Sequence, residues 1–171
     1  MRLYLMRHGL AGSRETWEGN DALRPLTKKG QQRTRAAANG LRLLGPGIDT
    51  LVTSPLARAR QTAEIVGHAL HLPVLEQVAL SPGFGVEQLA SLFTTYHEAR
   101  GLMLVGHEPD FSSLIGELIA PQGDAQVMLK KGACCALDLP DDDAHRDAGQ
   151  LVGCATLVWL MTARQLGRIA G

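Results

Sequence analysis

Arginine and histidine recur at three places in this 171-residue chain, each just after a short apolar run. Leu3-Tyr4-Leu5-Met6 leads into Arg7-His8-Gly9. Leu51-Val52-Thr53 leads into Ser54-Pro55 and, a turn later, Arg58. Leu102-Met103-Leu104-Val105 leads into Gly106-His107-Glu108. The chemistry these types share is that of phosphate. A guanidinium presents paired donors that match phosphate oxygens. A helix starting after Ser54 would add backbone N–H groups and a positive dipole end. A neutral imidazole is a competent nucleophile toward phosphorus and titrates near neutral pH. Two arginines and a second histidine could hold the charge that in-line transfer spreads over three equatorial oxygens. There is no Gly-rich loop with lysine of the P-loop kind and no acidic calcium or magnesium loop. Side chains, rather than a metal, would therefore neutralise the charge.

These groups meet only if the apolar runs are parallel strands of one sheet, because such sheets bind ligands beyond the carboxyl ends of their strands. The rest of the pattern fits that requirement. Pro25 and Thr27 open a helix with Leu26, Gly30, Ala37, Ala38, Leu41 and Leu44 on one face, stopped by Gly45-Pro46-Gly47. Ser54 reads as the N-cap and Pro55 as the first residue of a second helix, with Thr62, Ala63, Val66 and Leu70 as its inward stripe. Residues 73–78 read as a weak strand and 86–96 as a helix. Pro109 opens another helix, with Phe111, Leu114, Ile115, Leu118 and Ile119 at helical spacing. Residues 133–139 and 151–160 read as two strands joined by an Asp-rich turn (Asp138, Asp141, Asp142, Asp143, Asp147), a hairpin added at the sheet edge. Alternating strands and helices without a linker predict one α/β domain spanning 1–171.

Composition removes several function classes. Lys plus Arg and Asp plus Glu number 17 each, so the chain lacks the basic excess of a nucleic-acid binder. At 4% aromatic residues it also lacks base-stacking platforms. A 45% hydrophobic, 20% charged composition excludes disorder. Cys134, Cys135 and Cys154 show no CxxC spacing and read as reduced core thiols. The first apolar run stops at Arg7 and His8, too early for a signal peptide, and no stretch nears the ~18 apolar residues of a membrane span. A cytosolic chain without membrane or nucleic-acid partners is the expectation. His68 and His71 stand three apart with no third metal ligand in sight.

At these motifs the sequence resembles the histidine phosphatase superfamily, in particular its small SixA-type phosphohistidine phosphatases. The resemblance rests on Leu5-Met6-Arg7-His8-Gly9, on Arg24-Pro25-Leu26-Thr27 with Gly30, on Ser54-Pro55-Leu56-Ala57-Arg58-Ala59 with Gln61-Thr62-Ala63, and on Val105-Gly106-His107. It spans residue 1 to about 120 in the family's order. It implies a phosphoglycerate mutase-like fold: three αβα layers, a mostly parallel central sheet and a C-terminal edge hairpin. It also implies that His8 is the nucleophile that becomes phosphorylated, with Arg7, Arg58 and His107 completing the catalytic pocket. Arg24, Gly9 and Ser54 would bind substrate, and no metal or other cofactor would be needed. Arg58 is preferred to Arg60 because it lies nearer the helix start.

Many members of the family carry a carboxylate proton donor after the third strand. Here Val78-Ala79-Leu80-Ser81-Pro82 has Ala79 at that place, which leaves Asp21 and Glu108 as candidate donors. Expelling an alkoxide needs a strong general acid, whereas a protonated phosphoimidazole leaves as neutral imidazole with little help. The expected activity is metal-independent hydrolysis of phosphohistidine in a protein, such as a phosphorelay domain or carrier, through a phospho-His8 intermediate. The alternatives are a small-metabolite phosphomonoesterase and a non-catalytic phosphoprotein-binding module. The short stretch between residues 62 and 100 leaves little room for a lid over a metabolite, and a pure binder has no need of His8.

Overall fold

The apolar run at residues 3–6 is buried on both faces, as only the middle of a sheet allows. In a computed structural model, which describes residues 1–120, 122, 125–140 and 147–171, this run forms β1 (Arg2–Arg7). Strand β1 lies parallel to β4 (Gly101–Gly106), and β4 lies parallel to β2 (Thr50–Thr53). Beyond β2 the sheet ends in β3 (Leu75–Glu76), only two residues long. On its other side β1 pairs antiparallel with β5 (Cys134–Asp138), which pairs antiparallel with β6 (Thr156–Met161). The order is β3-β2-β4-β1-β5-β6, parallel on one half and antiparallel at the C-terminal edge.

Side chains of β1 alternate between two apolar layers, as strand geometry requires. Leu3 and Leu5 join Leu102, Leu104, Cys135 and Leu137 under α3 (Val86–Thr95), α4 (Asp110–Ile119) and α5 (Ala148–Leu151). Tyr4 and Met6 join Met103, Val105, Cys134 and Ala136 under α1 (Lys28–Leu44), α2 (Ala57–Leu70) and α6 (Ala163–Ile169). Helices thus cover both faces, giving the three layers expected. Cys134 and Cys135 are buried thiols on opposite faces of β5, and burial pushes both up, Cys135 to about 12.

Several boundaries differ from the sequence reading, each for a local reason. Helix α2 begins at Ala57 with Leu56 in the N-cap position, so Ser54 and Pro55 precede it instead of opening it. Leu26 lies outside α1, in an isolated bridge to Ala11, and Thr27 caps the helix by accepting from the Gly30 N–H at 2.9 Å. Leu44 is exposed in the last turn. Leu151, read as the start of a strand, belongs to α5, which Asp147 caps by accepting from the Gln150 N–H. Asp138 ends β5 in a 2.7 Å ion pair with Arg2, and Asp141, Asp142 and Asp143 lie outside the described residues.

Helix α6 has no counterpart in the sequence reading. Thr162 and Gln165 form a reciprocal capping box at its start. It packs on α1 so closely that a Cβ on Gly40 would fall inside the Leu166 carbonyl oxygen, which explains a glycine in the middle of α1. Among the described residues no helix is long and apolar enough to cross a membrane.

Candidate active site

His8, Ser54 and His107 each follow directly on the carboxyl end of a parallel strand, and the sheet ladder carries on to hold them. The His8 N–H donates to the Gly106 carbonyl at 3.0 Å, and the Ser54 N–H donates to the Val105 carbonyl at 3.0 Å. The two imidazoles therefore face each other with ring centroids 5.4 Å apart. Arg58 comes to the same place from the first turn of α2. Arg7, the last residue of β1, is anchored by donation from Nη1 to the Leu129 carbonyl at 2.9 Å. Arg60 instead faces outward, in exposed pairs with Glu64 at 3.7 Å and Glu76 at 3.8 Å.

The hydrogen bonds fix the His8 tautomer and tie His107 to Ser54. His8 Nδ1 lies 2.8 Å from the Gly9 carbonyl, which can only accept, so Nδ1 carries the proton and Nε2 keeps its lone pair. His107 Nε2 lies 2.8 Å from Ser54 Oγ. That oxygen also accepts from the Leu56 N–H at 3.3 Å, and when its own proton goes to Nε2 the His107 ring carries its proton on Nδ1. His8 thus has a lone pair at Nε2, and His107 an unpartnered nitrogen at Nδ1.

Burial sets their charge. His8 is 7% exposed and His107 3%. Desolvation brings His8 down to about 3, with His107, Arg58 and Arg7 adding to the shift and the Gly9 carbonyl opposing it. Desolvation, then Arg58, brings His107 down to about 4. Both rings are neutral at pH 7. Burial also lowers Arg7 and Arg58, opposed by Glu108 and Asp21 respectively, yet a guanidinium starts high enough to stay cationic.

Among the described residues, three buried side-chain polar atoms lack a hydrogen-bond partner: Arg7 Nε, Arg58 Nε and His107 Nδ1. Buried donors are normally satisfied. Arg7, Arg58 and His107 all lie close enough to act on the charge of His8, so unsatisfied polar atoms and two guanidiniums gather around a neutral imidazole, an environment suited to an anion. Among the described residues, no group of three or more His, Cys, Asp or Glu side chains is placed to hold a metal ion.

The remaining predicted residues support this cluster. Gly9 was expected to contact substrate, but its N–H donates to Thr62 Oγ1 at 3.0 Å and its carbonyl holds His8. A Cβ there would meet Thr34 Oγ1 at 2.5 Å, so only glycine lets the loop sit down on α1. Ser54 is fully buried and bonded to His107, which makes it a positioning residue and not a ligand contact. Arg24 is buried, donating from Nε to Asp21 at 2.8 Å and from Nη1 to the Gly12 carbonyl at 2.6 Å. It closes the loop that carries Asp21.

The two candidate proton donors are both engaged as acceptors. Asp21 is clamped between Arg24 at 2.8 Å and Arg58 at 3.1 Å, and these guanidiniums, Arg24 first, hold its carboxyl below the usual range. An ionised, doubly paired carboxylate has no proton to give. Glu108 accepts from the Ser112 N–H at 3.2 Å and the Ser112 hydroxyl at 2.6 Å, which ties it to the start of α4. Ala79 sits in a short 3-10 turn, Val78–Leu80, that supplies no acid.

Sequence reasoning passed over Thr62 as a working residue. Its hydroxyl accepts from the Gly9 N–H and donates to the Arg58 carbonyl at 2.7 Å, joining the His8 loop to α2. The available signal was a buried threonine within an apolar helix stripe. Ser54→Ala should free His107 to exchange its tautomer. We expect sulfate binding to weaken three- to tenfold, roughly the worth of one buried hydrogen bond. The 15N shifts of His107 should move from a single tautomer to a mixture, and an unchanged tautomer would remove Ser54 from this role.

The comparisons with known proteins agree with this arrangement. The family model described as histidine phosphatase superfamily (branch 1) matches residues 3–83. An uncharacterized protein of Picosynechococcus sp. is 37% identical over 141 residues, covering 80% of this chain and 84% of its own. Phosphohistidine phosphatase SixA of Escherichia coli is 29% identical over 145 residues, 82% of this chain and 87% of its own. The solved structure of the protein histidine phosphatase SixA complexed with tungstate has a TM-score of 0.80 at 28% identity, covering 97% of this chain and 99% of that one. The strand-end arginines and histidines, their common sheet and these similarities have one reading: the chain belongs to the histidine phosphatase superfamily.

Proposed function

We propose that this member of the family hydrolyses phosphohistidine carried on a protein, with His8 as the nucleophile. His8 Nε2 attacks phosphorus while the N–P bond of the substrate breaks. The substrate imidazole, already protonated on its other nitrogen, leaves neutral with that proton. Water then attacks the phospho-His8 phosphorus, the new N–P bond breaks, and inorganic phosphate departs. Arg7 Nε, Arg58 Nε and His107 Nδ1 are the donors for the equatorial oxygens, neutral His8 having no charge to shed before it attacks. Tungstate, the tetrahedral oxyanion bound by the related SixA, is the same kind of ligand.

The substrate class is carried by one observation: Asp21, the carboxylate paired with Arg58, is held ionised by Arg24 and Arg58 and has no proton to give an alkoxide leaving group, while Glu108 is tied to Ser112. Rates of phosphate release from a phosphohistidine peptide, a phosphoserine peptide of the same sequence and a sugar phosphate test this directly. We expect kcat/KM for phosphohistidine to exceed the other two by at least ~10²-fold, the usual worth of a general acid. Excess EDTA should leave it unchanged. Equal rates on the sugar phosphate would assign the chain to metabolite hydrolysis instead. Tight oxyanion binding without turnover of any of the three would make it a binding module.

A further inference from the structure

Six cationic side chains line a cavity of about 720 Å³ between α1, α6 and the 130–132 turn: Arg7, Arg33, Lys130, Lys131, Arg164 and Arg168. No carboxylate stands among the described residues that line it. Soluble surfaces normally intersperse the two signs of charge, and this chain carries no net charge overall. Here one sign is concentrated in one concave place. None of these six cations forms an ion pair with a carboxylate among the described residues. Such a field attracts an anionic partner locally without making the whole molecule basic.

The floor is different in kind. Leu10, Ala36 and Ala163 give it apolar surface, and its lining contains no aromatic ring on which a nucleobase could stack. The cavity also shares Arg7 with the candidate active site. Arg7 and Gly9 line it on either side of His8, and the Gly132 N–H donates to the Arg7 and His8 carbonyls at 3.2 and 3.1 Å. A ligand here touches the two residues that flank His8 in the chain. Cationic rim, apolar floor and the shared Arg7 together fit a segment with acidic residues on one face and small apolar ones on the other.

We propose that this groove docks an acidic, amphipathic segment of the phosphoprotein substrate, a reading that rests on the phosphohistidine activity proposed above. Docking lowers KM for substrates that carry such a segment and leaves the chemical step unchanged, because binding remote from phosphorus is the same in ground and transition states. The effect weakens with salt, since the groove is open to solvent.

Three probes test it: N-acetyl phosphohistidine, a phosphohistidine peptide flanked by Glu-rich amphipathic extensions, and the same peptide with Lys in place of Glu. The Glu-rich peptide should show a KM at least tenfold below that of the minimal compound, with equal kcat, and the Lys-rich peptide should show no gain. Arg33→Glu with Arg164→Glu and Arg168→Glu should abolish the advantage while turning over N-acetyl phosphohistidine as before. Lys130→Glu with Lys131→Glu provides a second, independent variant. A retained advantage in both variants overturns the groove, as does competition by a single-stranded oligonucleotide but not by a Glu-rich peptide. No turnover of N-acetyl phosphohistidine by the natural chain would instead overturn the phosphohistidine reading itself.

Discussion

The His8→Ala protein should still bind an oxyanion but release phosphate at least ~10⁴-fold more slowly than the natural chain, the scale of loss when a covalent nucleophile is removed. The reason lies in how the site is divided. The groups proposed to bind its charge, Arg7, Arg58 and His107, belong to other residues and remain in place. The only lone pair held among them is His8 Nε2, fixed by the proton that Nδ1 commits to the Gly9 carbonyl. Sulfate affinity should therefore change less than tenfold. A 32P-labelled phosphohistidine peptide should leave acid-labile, base-stable label on the natural chain and none on the variant. Label that survives the substitution would move the nucleophile to another side chain, and His107 is the alternative geometry offers.

The residues of this pocket were legible because each follows a buried apolar run, and such runs stand out in sequence. Parallel pairing then aligned their ends, which is a rule of sheets and not of these residues. What Ser54 does was not legible. Ser-Pro before a helix looks like an N-cap with proline in the first turn, yet α2 starts at Ala57 and the serine hydroxyl is spent on His107, 53 residues away. The same limit applies to Asp21 and Glu108. A carboxylate near the motifs reads as a candidate acid until its partners are known, and Arg58 reaches Asp21 across 37 residues. Helix α6 was missed for another reason: seven residues are too few for a 3.6-residue period to declare itself, though Thr162 and Gln165 carry a capping signature. The basic cavity is invisible in a neutral composition because its cations come from residues 7, 33, 130–131, 164 and 168.

Acid should destabilise this fold well before its carboxylates titrate. His8 and His107 have folded-state values of about 3 and about 4, against ~6.5 in the unfolded chain, so the unfolded state binds protons first. Stability is therefore full above the unfolded value and falls as pH drops through it, down to the folded values. Each ring should cost roughly 2 kcal/mol between pH 7 and pH 5, or about 4 kcal/mol together, a large share of a domain's stability. The lowered Asp21 and Asp138 carboxyls stay ionised through this window and lose their contribution only further down. Urea unfolding at the two pH values checks the sum, and His8→Asn or His107→Gln should each remove about half of the slope. Saturating sulfate, dianionic at both pH values, should shrink the loss, because a dianion between the rings favours their protonated forms and raises the folded values toward the unfolded one. Equal stability at pH 7 and pH 5 in the natural chain would mean that burial does not depress the two imidazoles below their unfolded value.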